Sequence, residues 1–99
     1  METPWGQADS AEILAPGITS YSTPSHGGIH LSLVRQAQLP EGIDNFLHDL
    51  EWWEEDCDWA IPYIVFQYDI EKHGAEAHFA ETLEAAYSTV KHYHSSIKL

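Results

Sequence analysis

Histidine and acidic side chains are the groups in this 99-residue chain that could bind a metal or transfer a proton, and the chain has 7 of the first and 16 of the second. His26 and His30 are four positions apart, but they lie on a glycine turn and a short predicted strand, where this spacing does not bring two imidazoles to one face. His92 and His94 are two positions apart on a predicted helix and point away from each other. The single cysteine, Cys57, completes no zinc motif with either pair.

A site built from separated segments is the remaining route to chemistry. His26, His30 and Asp56 together would support a metal-assisted enzyme. Ser25, His26 and Asp56 have the residue types of a hydrolase triad, but a serine next to a histidine rarely has the required geometry, and no nucleophile motif accompanies it. We therefore expect no catalytic residues, no metal and no cofactor, and we keep the metal-assisted enzyme as an alternative.

A long acidic interval is the strongest signal in the sequence. No lysine or arginine occurs between Arg35 and Lys72. The carboxylates of this interval are Glu41, Asp44, Asp49, Glu51, Glu54, Glu55, Asp56, Asp58, Asp69 and Glu71. DNA also presents closely spaced negative charges, about one per 1.7 Å of helix axis. The interval is therefore either a solvated face or a surface that occupies a basic groove made for nucleic acid.

Helical periodicity organises the centre of this interval. Trp53, Cys57 and Ile61 fall on one face at about 100° per residue, which predicts an amphipathic helix with a buried side. The opposite face consists of Glu51, Glu54, Glu55 and Asp58. Asp49 is the predicted N-cap of the helix, and Pro62 is expected to kink or end it.

A third strip of the same predicted helix places one carboxylate among aromatic rings. It consists of Trp52, Asp56, Trp59 and Tyr63. Because a carboxylate in such surroundings needs hydrogen-bond donors, we predict that Asp56 faces inward near the turn His26-Gly27-Gly28. Cys57 is predicted to be buried because it shares the helix face of Trp53 and Ile61. The residues with predicted structural roles are thus His26, Gly27, Gly28, Asp56 and Cys57. Exposed members of Trp52, Trp59 and Tyr63 are expected to anchor a partner.

Turn signals divide the N-terminal third into an antiparallel meander. Strands are predicted at Ser10–Ala15, Ile18–Thr23 and Ile29–Leu31, with turns at Pro16-Gly17 and from Pro24 to Gly28. Ser32 is the predicted cap of a short helix over Leu33–Gln38, which Pro40 ends. A further helical turn is compatible with Ile43–Leu47.

The C-terminal half is predicted to be mainly helical. For residues 63–68 the sequence is compatible with either a continued helix or a fourth strand. Ala75–Tyr93 is the clearest helix, with an apolar stripe at Phe79, Leu83, Ala86, Val90 and Tyr93. The sequence therefore predicts one α+β domain over residues 1–99, a three- to four-stranded antiparallel sheet packed against two helices.

Composition excludes several functional classes. The chain is 43% hydrophobic and 12% aromatic, so its net charge of −12 belongs to a folded protein and not to a disordered tail. Such a charge repels nucleic acid and anionic membranes and attracts basic surfaces. One cysteine, no signal-peptide pattern and no long apolar run favour a cytoplasmic protein.

Several motifs resemble those of a family of small uncharacterised proteins found in phages, plasmids and proteobacteria. The matching residues are Thr3-Pro4-Trp5-Gly6, Ala15-Pro16-Gly17-Ile18, Ser22-Thr23-Pro24-Ser25-His26-Gly27-Gly28, Leu31-Ser32 and Trp53-Glu54-Glu55-Asp56-Cys57-Asp58-Trp59-Ala60. Family members tend to have Pro-Glu-Arg after the Leu-Ser pair, where this chain has Leu33-Val34-Arg35. The resemblance supplies no catalytic residue, and it implies a mobile-element setting in which short acidic proteins block host defence nucleases.

These observations favour an inhibitor over an enzyme. We expect an anti-CRISPR protein that binds a basic, nucleic-acid-contacting surface of a CRISPR effector or another host defence nuclease complex. Glu51, Glu54, Glu55 and Asp58 would supply the charge for that contact. The second alternative, besides the metal-assisted enzyme, is an antitoxin-like structural partner of a basic protein.

Overall fold

Two antiparallel sheets and four helices make up the part of the chain that the computed structural model describes, residues 2–41, 43 and 49–94. A small hairpin consists of β1 (Glu2–Thr3) and β2 (Gly6–Gln7). The main sheet contains, in spatial order, β3 (Ser10–Ala15), β4 (Ile18–Ser22), β5 (Gly27–Leu31) and β6 (Trp52–Glu54). All of its strand pairs are antiparallel, so the predicted α+β class with an N-terminal meander is confirmed.

The turns of the meander follow from its proline and glycine residues. Gly17 has a φ of 81°, a left-handed conformation that favours glycine between β3 and β4. β5 begins two positions before the predicted strand because Gly27 and Gly28 belong to it. A Cβ on Gly28 would overlap the carbonyl oxygen of Trp53, so only glycine lets β6 come this close.

The helices are α1 (Leu33–Ala37), α2 (Ala60–Val65), α3 (Gln67–His73) and α4 (Phe79–Tyr93). Ser32 caps α1 as predicted, its hydroxyl oxygen accepting from the Arg35 N–H at 3.3 Å. The predicted C-terminal helix is confirmed from Phe79 onward. In its apolar stripe Ala86 and Val90 are buried, whereas Tyr93 is exposed.

The core lies between the helices and one face of the main sheet, here called the inner face. Ile18 stands opposite Leu31, and Ile29 stands opposite Trp53, so these four side chains share that face. All are buried and belong to one hydrophobic cluster with residues of α2, α3 and α4. The helical layer thus has three helices where two were predicted.

The prediction of an amphipathic helix after Asp49 is wrong, because residues 52–54 form β6 and residues 55–59 form a turn. The prediction that Asp49 is a helix N-cap is wrong with it: Asp49 Oδ1 accepts from the N–H groups of Glu51 and Trp52 at 2.9 and 3.2 Å, but the chain then enters a strand. Two facts favour the strand. In a helix, the carboxylates at i, i+3 and i, i+4 would repel each other with no lysine or arginine nearby, and in the strand the backbone hydrogen-bonds to β5. Glu55 donates its N–H to the Gly27 carbonyl at 2.9 Å.

Residues 63–68 belong to α2 and α3, apart from Phe66 between them, and none of them forms the alternative fourth strand. Pro62 is the third residue of α2, and the missing N–H matters little there because first-turn N–H groups have no partner within the helix. α2 ends at Val65, and α3 begins two residues later. The predicted helical turn at Ile43–Leu47 lies outside the described residues except for Ile43, which is buried.

No helix within the described ranges is long and apolar enough to cross a membrane.

Candidate functional site

The segment Glu51–Trp59, here called the acidic segment, contributes side chains to the outer side of the sheet edge, to a pocket on the core side and to a cluster at the end of α4. β6 occupies the end of the order β3-β4-β5-β6, so one of its edges has no partner among the described strands. Side chains of a strand alternate between the two faces of the sheet, and the turn at residues 55–59 redirects the rest. The four carboxylates expected to form one acidic face therefore lie in three places. Glu51 and Glu54 lie at the outer side of the sheet edge, Glu55 lines a pocket and Asp58 lies beside His94.

An aromatic cluster covers the outer face of the main sheet, the face turned away from the core. Its members, here called the outer aromatic cluster, are Trp5, Tyr21, His30 and Trp52, all of them half-buried. The Trp52 ring is in contact with all three others, with centroid distances of 5.7 Å to Trp5, 5.7 Å to Tyr21 and 4.5 Å to His30. Trp5 lies over Gly28, whose missing side chain makes room for the indole. Trp52 is thus the centre of a surface patch.

Carboxylates flank this patch along the sheet edge. His30 Nε2 lies 2.8 Å from Glu51 Oε2, and the Glu51 side chain is 52% exposed. Glu54 stands opposite Gly28 in the register and is half-buried. The outer aromatic cluster and these two acids together form an aromatic surface with a negative edge.

His26, the residue just before β5, approaches the acidic segment. One ligand atom each from His26, Glu54 and Asp56 lies within 4.8 Å of the others. Asp56 is therefore close to the His26 turn, but it is exposed, so the prediction that it faces inward is wrong. The turn after β6 carries Asp56 to solvent instead of into an aromatic strip. The trio His26, His30 and Asp56 is not assembled either, since His30 is paired with Glu51.

A pocket of about 210 Å³ opens on the core side of the sheet. Glu55, Trp59 and Tyr63 line it together with Glu76 and Thr82. Tyr63 is 2% exposed and is therefore not among the exposed aromatic residues expected to anchor a partner, whereas Trp59 is half-buried. The Tyr63 hydroxyl has no hydrogen bond of good geometry within the described part of the chain. Burial, with a smaller contribution from Glu76, raises the pKa of Tyr63 to about 12, and the nearby Thr82 hydroxyl opposes that rise.

A carboxyl pair that sequence reasoning missed lies close to this pocket. Glu12 of β3 and Glu76, in the connection before α4, come near enough for their side chains to share a hydrogen bond. Partial burial, followed by the charge of Glu76, raises the pKa of Glu12 above its usual value. The two acids are 64 positions apart in the sequence, so no local pattern could have indicated their contact.

The end of the acidic segment meets the end of α4. Cys57 Sγ lies 3.4 Å from Asp58 Oδ1, and His94 Nε2 lies 3.3 Å from the same oxygen. All three side chains are half-buried. Burial raises the pKa of the Cys57 thiol to about 11, and the neighbouring Asp58 carboxylate adds to the rise. Cys57 is thus only partly buried, where the sequence placed it on a buried face.

The profile of the family described as Domain of unknown function (DUF7007) matches residues 1–97. The chain belongs to this family. No curated protein and no solved structure matches it. DUF7007 is thus a family of uncharacterised function, and its description names no reaction, ligand or partner.

Within this DUF7007 chain the structure brings together some predicted site residues and separates others. Glu51, Glu54 and Trp52 share the outer side of the sheet edge, whereas Glu55 and Trp59 line the pocket. Glu12, Glu76 and His94 were missed, as was the contribution of Trp5 and Tyr21 to the outer aromatic cluster. The alternation of polar and aromatic residues in β4 was the one local signal that could have indicated Tyr21.

Proposed function

We propose that the protein binds a basic surface of another protein through the outer aromatic cluster and the carboxylates beside it. In its most concrete form the proposal is an anti-defence inhibitor, an anti-CRISPR protein that occupies a nucleic-acid-contacting surface of a CRISPR effector or another host defence nuclease complex. An antitoxin-like partner of a basic protein would use the same surface.

The observation that carries the proposal is the position of Trp52. Its half-buried ring lies among three other aromatic side chains, on the sheet face turned away from the core. Large aromatic side chains at the centre of a patch, surrounded by polar groups, are typical of residues that dominate binding energy. Trp52 is therefore the proposed anchor.

Charge would provide attraction and selectivity. The net charge of −12 accelerates encounter with a basic groove and disfavours acidic partners. Glu51 and Glu54 lie on either side of Trp52 in the chain, so lysine or arginine side chains of a partner would meet carboxylates next to the aromatic anchor. Such contacts are screened over about 8 Å at physiological ionic strength, so binding should weaken with salt but persist through the aromatic contact.

Phage plating on host strains that each carry one CRISPR system tests the proposal. Expression of the protein is expected to restore plating in at least one strain. The double variant Glu51→Lys/Glu54→Lys should lose this effect, because it reverses the charge beside Trp52.

The matched control is Glu81→Lys/Glu84→Lys, which makes the same change of charge on exposed positions of α4. This control should restore plating as well as the natural protein does. Failure of the natural protein in every strain would count against the anti-CRISPR form of the proposal. Equal loss in both double variants would show that only total charge matters and not this surface.

A further inference from the structure

The cluster of Cys57, Asp58 and His94 has a geometry that an ion pair alone does not explain. The His94 Nε2 atom is enclosed and makes no hydrogen bond of good geometry among the described residues, although it lies 3.3 Å from Asp58 Oδ1. The thiol, the carboxylate and the imidazole converge, with one ligand atom of each within 4.8 Å of the others. A buried ring nitrogen without a well-formed hydrogen bond is uncommon in a folded protein.

We infer that Cys57, Asp58 and His94 bind a zinc ion, with Cys57 Sγ, one oxygen of Asp58 and His94 Nε2 as ligands. This is a site distinct from the surface proposed for partner binding, and it does not depend on that proposal.

The separations between the three ligand atoms are compatible with tetrahedral zinc. With Zn–S near 2.3 Å and Zn–N and Zn–O near 2.1 Å, neighbouring ligands of a tetrahedral ion lie about 3.4 to 3.6 Å apart. The sulfur-to-oxygen and nitrogen-to-oxygen separations here are 3.4 and 3.3 Å. Both distances are thus close to those of a formed site, and the sulfur-to-nitrogen separation is within 4.8 Å.

The donor set selects zinc over harder cations. A thiolate and an imidazole suit zinc, whereas magnesium and calcium prefer oxygen ligands throughout. The carboxylates of Glu54 and Asp56 lie near enough to Cys57 to act on its charge, so the local field favours a cation. Three protein ligands leave a fourth position for water or for a group from a partner.

The inferred ion would join two parts of the chain that are far apart in sequence. Cys57 and Asp58 belong to the turn after β6, and His94 is the C-cap of α4. A metal between them would hold the turn, and with it the edge of the sheet, against the end of the longest helix.

Zinc titration of the purified, metal-free protein in competition with a chromogenic chelator tests the inference. One zinc ion should bind per chain. Removal of a second-sphere group typically weakens binding by about 10 to 100-fold, so loss of a ligand in Cys57→Ser or His94→Gln should weaken it by more than about 100-fold. Cobalt should give a thiolate-to-metal absorption band with the natural protein and no such band with Cys57→Ser.

Two histidine variants serve as controls. His92→Gln removes an exposed imidazole near the same helix end, and His26→Gln removes the imidazole of the cluster with Glu54 and Asp56. Both should bind zinc as the natural protein does. Thermal melts without metal establish that each variant is folded. The cobalt spectrum of the natural protein tests the thiolate ligand even if a variant fails to fold. Absence of zinc binding, a cobalt complex without the thiolate band, or loss of binding in His26→Gln would each overturn the inference.

Discussion

Two adjacent tryptophans illustrate the difference between the two faces of the main sheet. Trp53 points to the inner face, is 0% exposed, and donates its indole N–H to the Leu50 carbonyl at 2.8 Å. Trp52 points to the outer face and lies half-buried among Trp5, Tyr21 and His30. The inner face packs against α2, α3 and α4 in the core, and the outer face is turned away from that core. Residues of the same type in one strand thus serve the core in one case and an accessible surface in the other.

This difference assigns separate roles to the two faces. Burial on the inner face stabilises the fold in proportion to the apolar area removed from water. An aromatic patch left partly accessible contributes less to stability and offers apolar area to a partner. Substitutions on the inner face should therefore reduce stability, and substitutions on the outer face should reduce binding.

The largest expected effect is the loss of Trp53. Trp53→Ala should lower the free energy of unfolding by about 3 to 5 kcal/mol, because it leaves a cavity in the core. Trp52→Ala should cost clearly less, since its ring is already partly hydrated. Urea denaturation followed by circular dichroism measures both values. Equal losses for the two variants would break the distinction between the faces.

A smaller loss of stability is expected from a side chain at Gly28, which packs between the Trp53 backbone and the Trp5 ring. A Cβ there would overlap the Trp53 carbonyl oxygen and lie 2.5 Å from the Trp5 ring. Gly28→Ala should lower the free energy of unfolding by about 1 to 3 kcal/mol, the usual cost of overpacking. The exposed Ser10→Ala in β3 provides a control that should melt like the natural protein. A Gly28→Ala variant with unchanged stability would show that β5 and β6 are not packed as closely as described.

Removal of the Tyr63 hydroxyl tests whether the core contains a buried polar group without a hydrogen bond. Because this buried group has no well-formed hydrogen bond in the described structure, Tyr63→Phe should leave stability unchanged or raise it by up to about 1 kcal/mol. Tyr63→Leu is the contrasting variant, since it also removes ring contacts with Trp59 and Phe79 and should be destabilising. A clear loss of stability in Tyr63→Phe would mean that the hydroxyl is hydrogen-bonded in solution.

The smallest effect concerns Glu12 beside Glu76. Because the folded state raises the pKa of Glu12, it binds that proton more tightly than the unfolded state does, and stability falls as pH rises through the raised pKa. Glu12→Gln should therefore raise the free energy of unfolding at pH 7, by no more than about 0.5 kcal/mol since solvent screens the pair. The gain should vanish below the usual carboxyl pKa, and thermal melts at pH 4 and pH 7 provide the comparison. A gain of equal size at both pH values would exclude the charge of Glu12 as its cause.

Local signals were sufficient for the meander, for α1 and for most of α4. Pro16-Gly17, the Ser32 cap and the stripe through Ala86 and Val90 depend on neighbours within a few residues, and the structure has each of them. The acidic segment was mispredicted because its helical periodicity competes with pairing to β5. That pairing depends on Gly28, which is 24 positions before Trp52 and is visible only as a turn residue in the sequence.

The candidate site was less predictable than the fold for the same reason. Glu51, Glu54 and Trp52 were identified from charge and residue type, but their contact with His30 and Tyr21 requires the register of β4, β5 and β6. His94 meets Cys57 and Asp58 only because α4 ends beside the turn after β6. Contacts between such distant positions leave no periodic pattern in one sequence.

The most direct test of the central claim, that the outer face binds the partner, compares Trp52→Ala with Tyr68→Ala in the phage-plating assay. Tyr68 is a 77% exposed aromatic residue on α3, so its removal controls for the loss of an exposed ring elsewhere. Both variants must first have melts that show a folded protein at the assay temperature. We predict that Trp52→Ala no longer restores phage plating, whereas Tyr68→Ala restores it fully. Full restoration by a folded Trp52→Ala would contradict the claim.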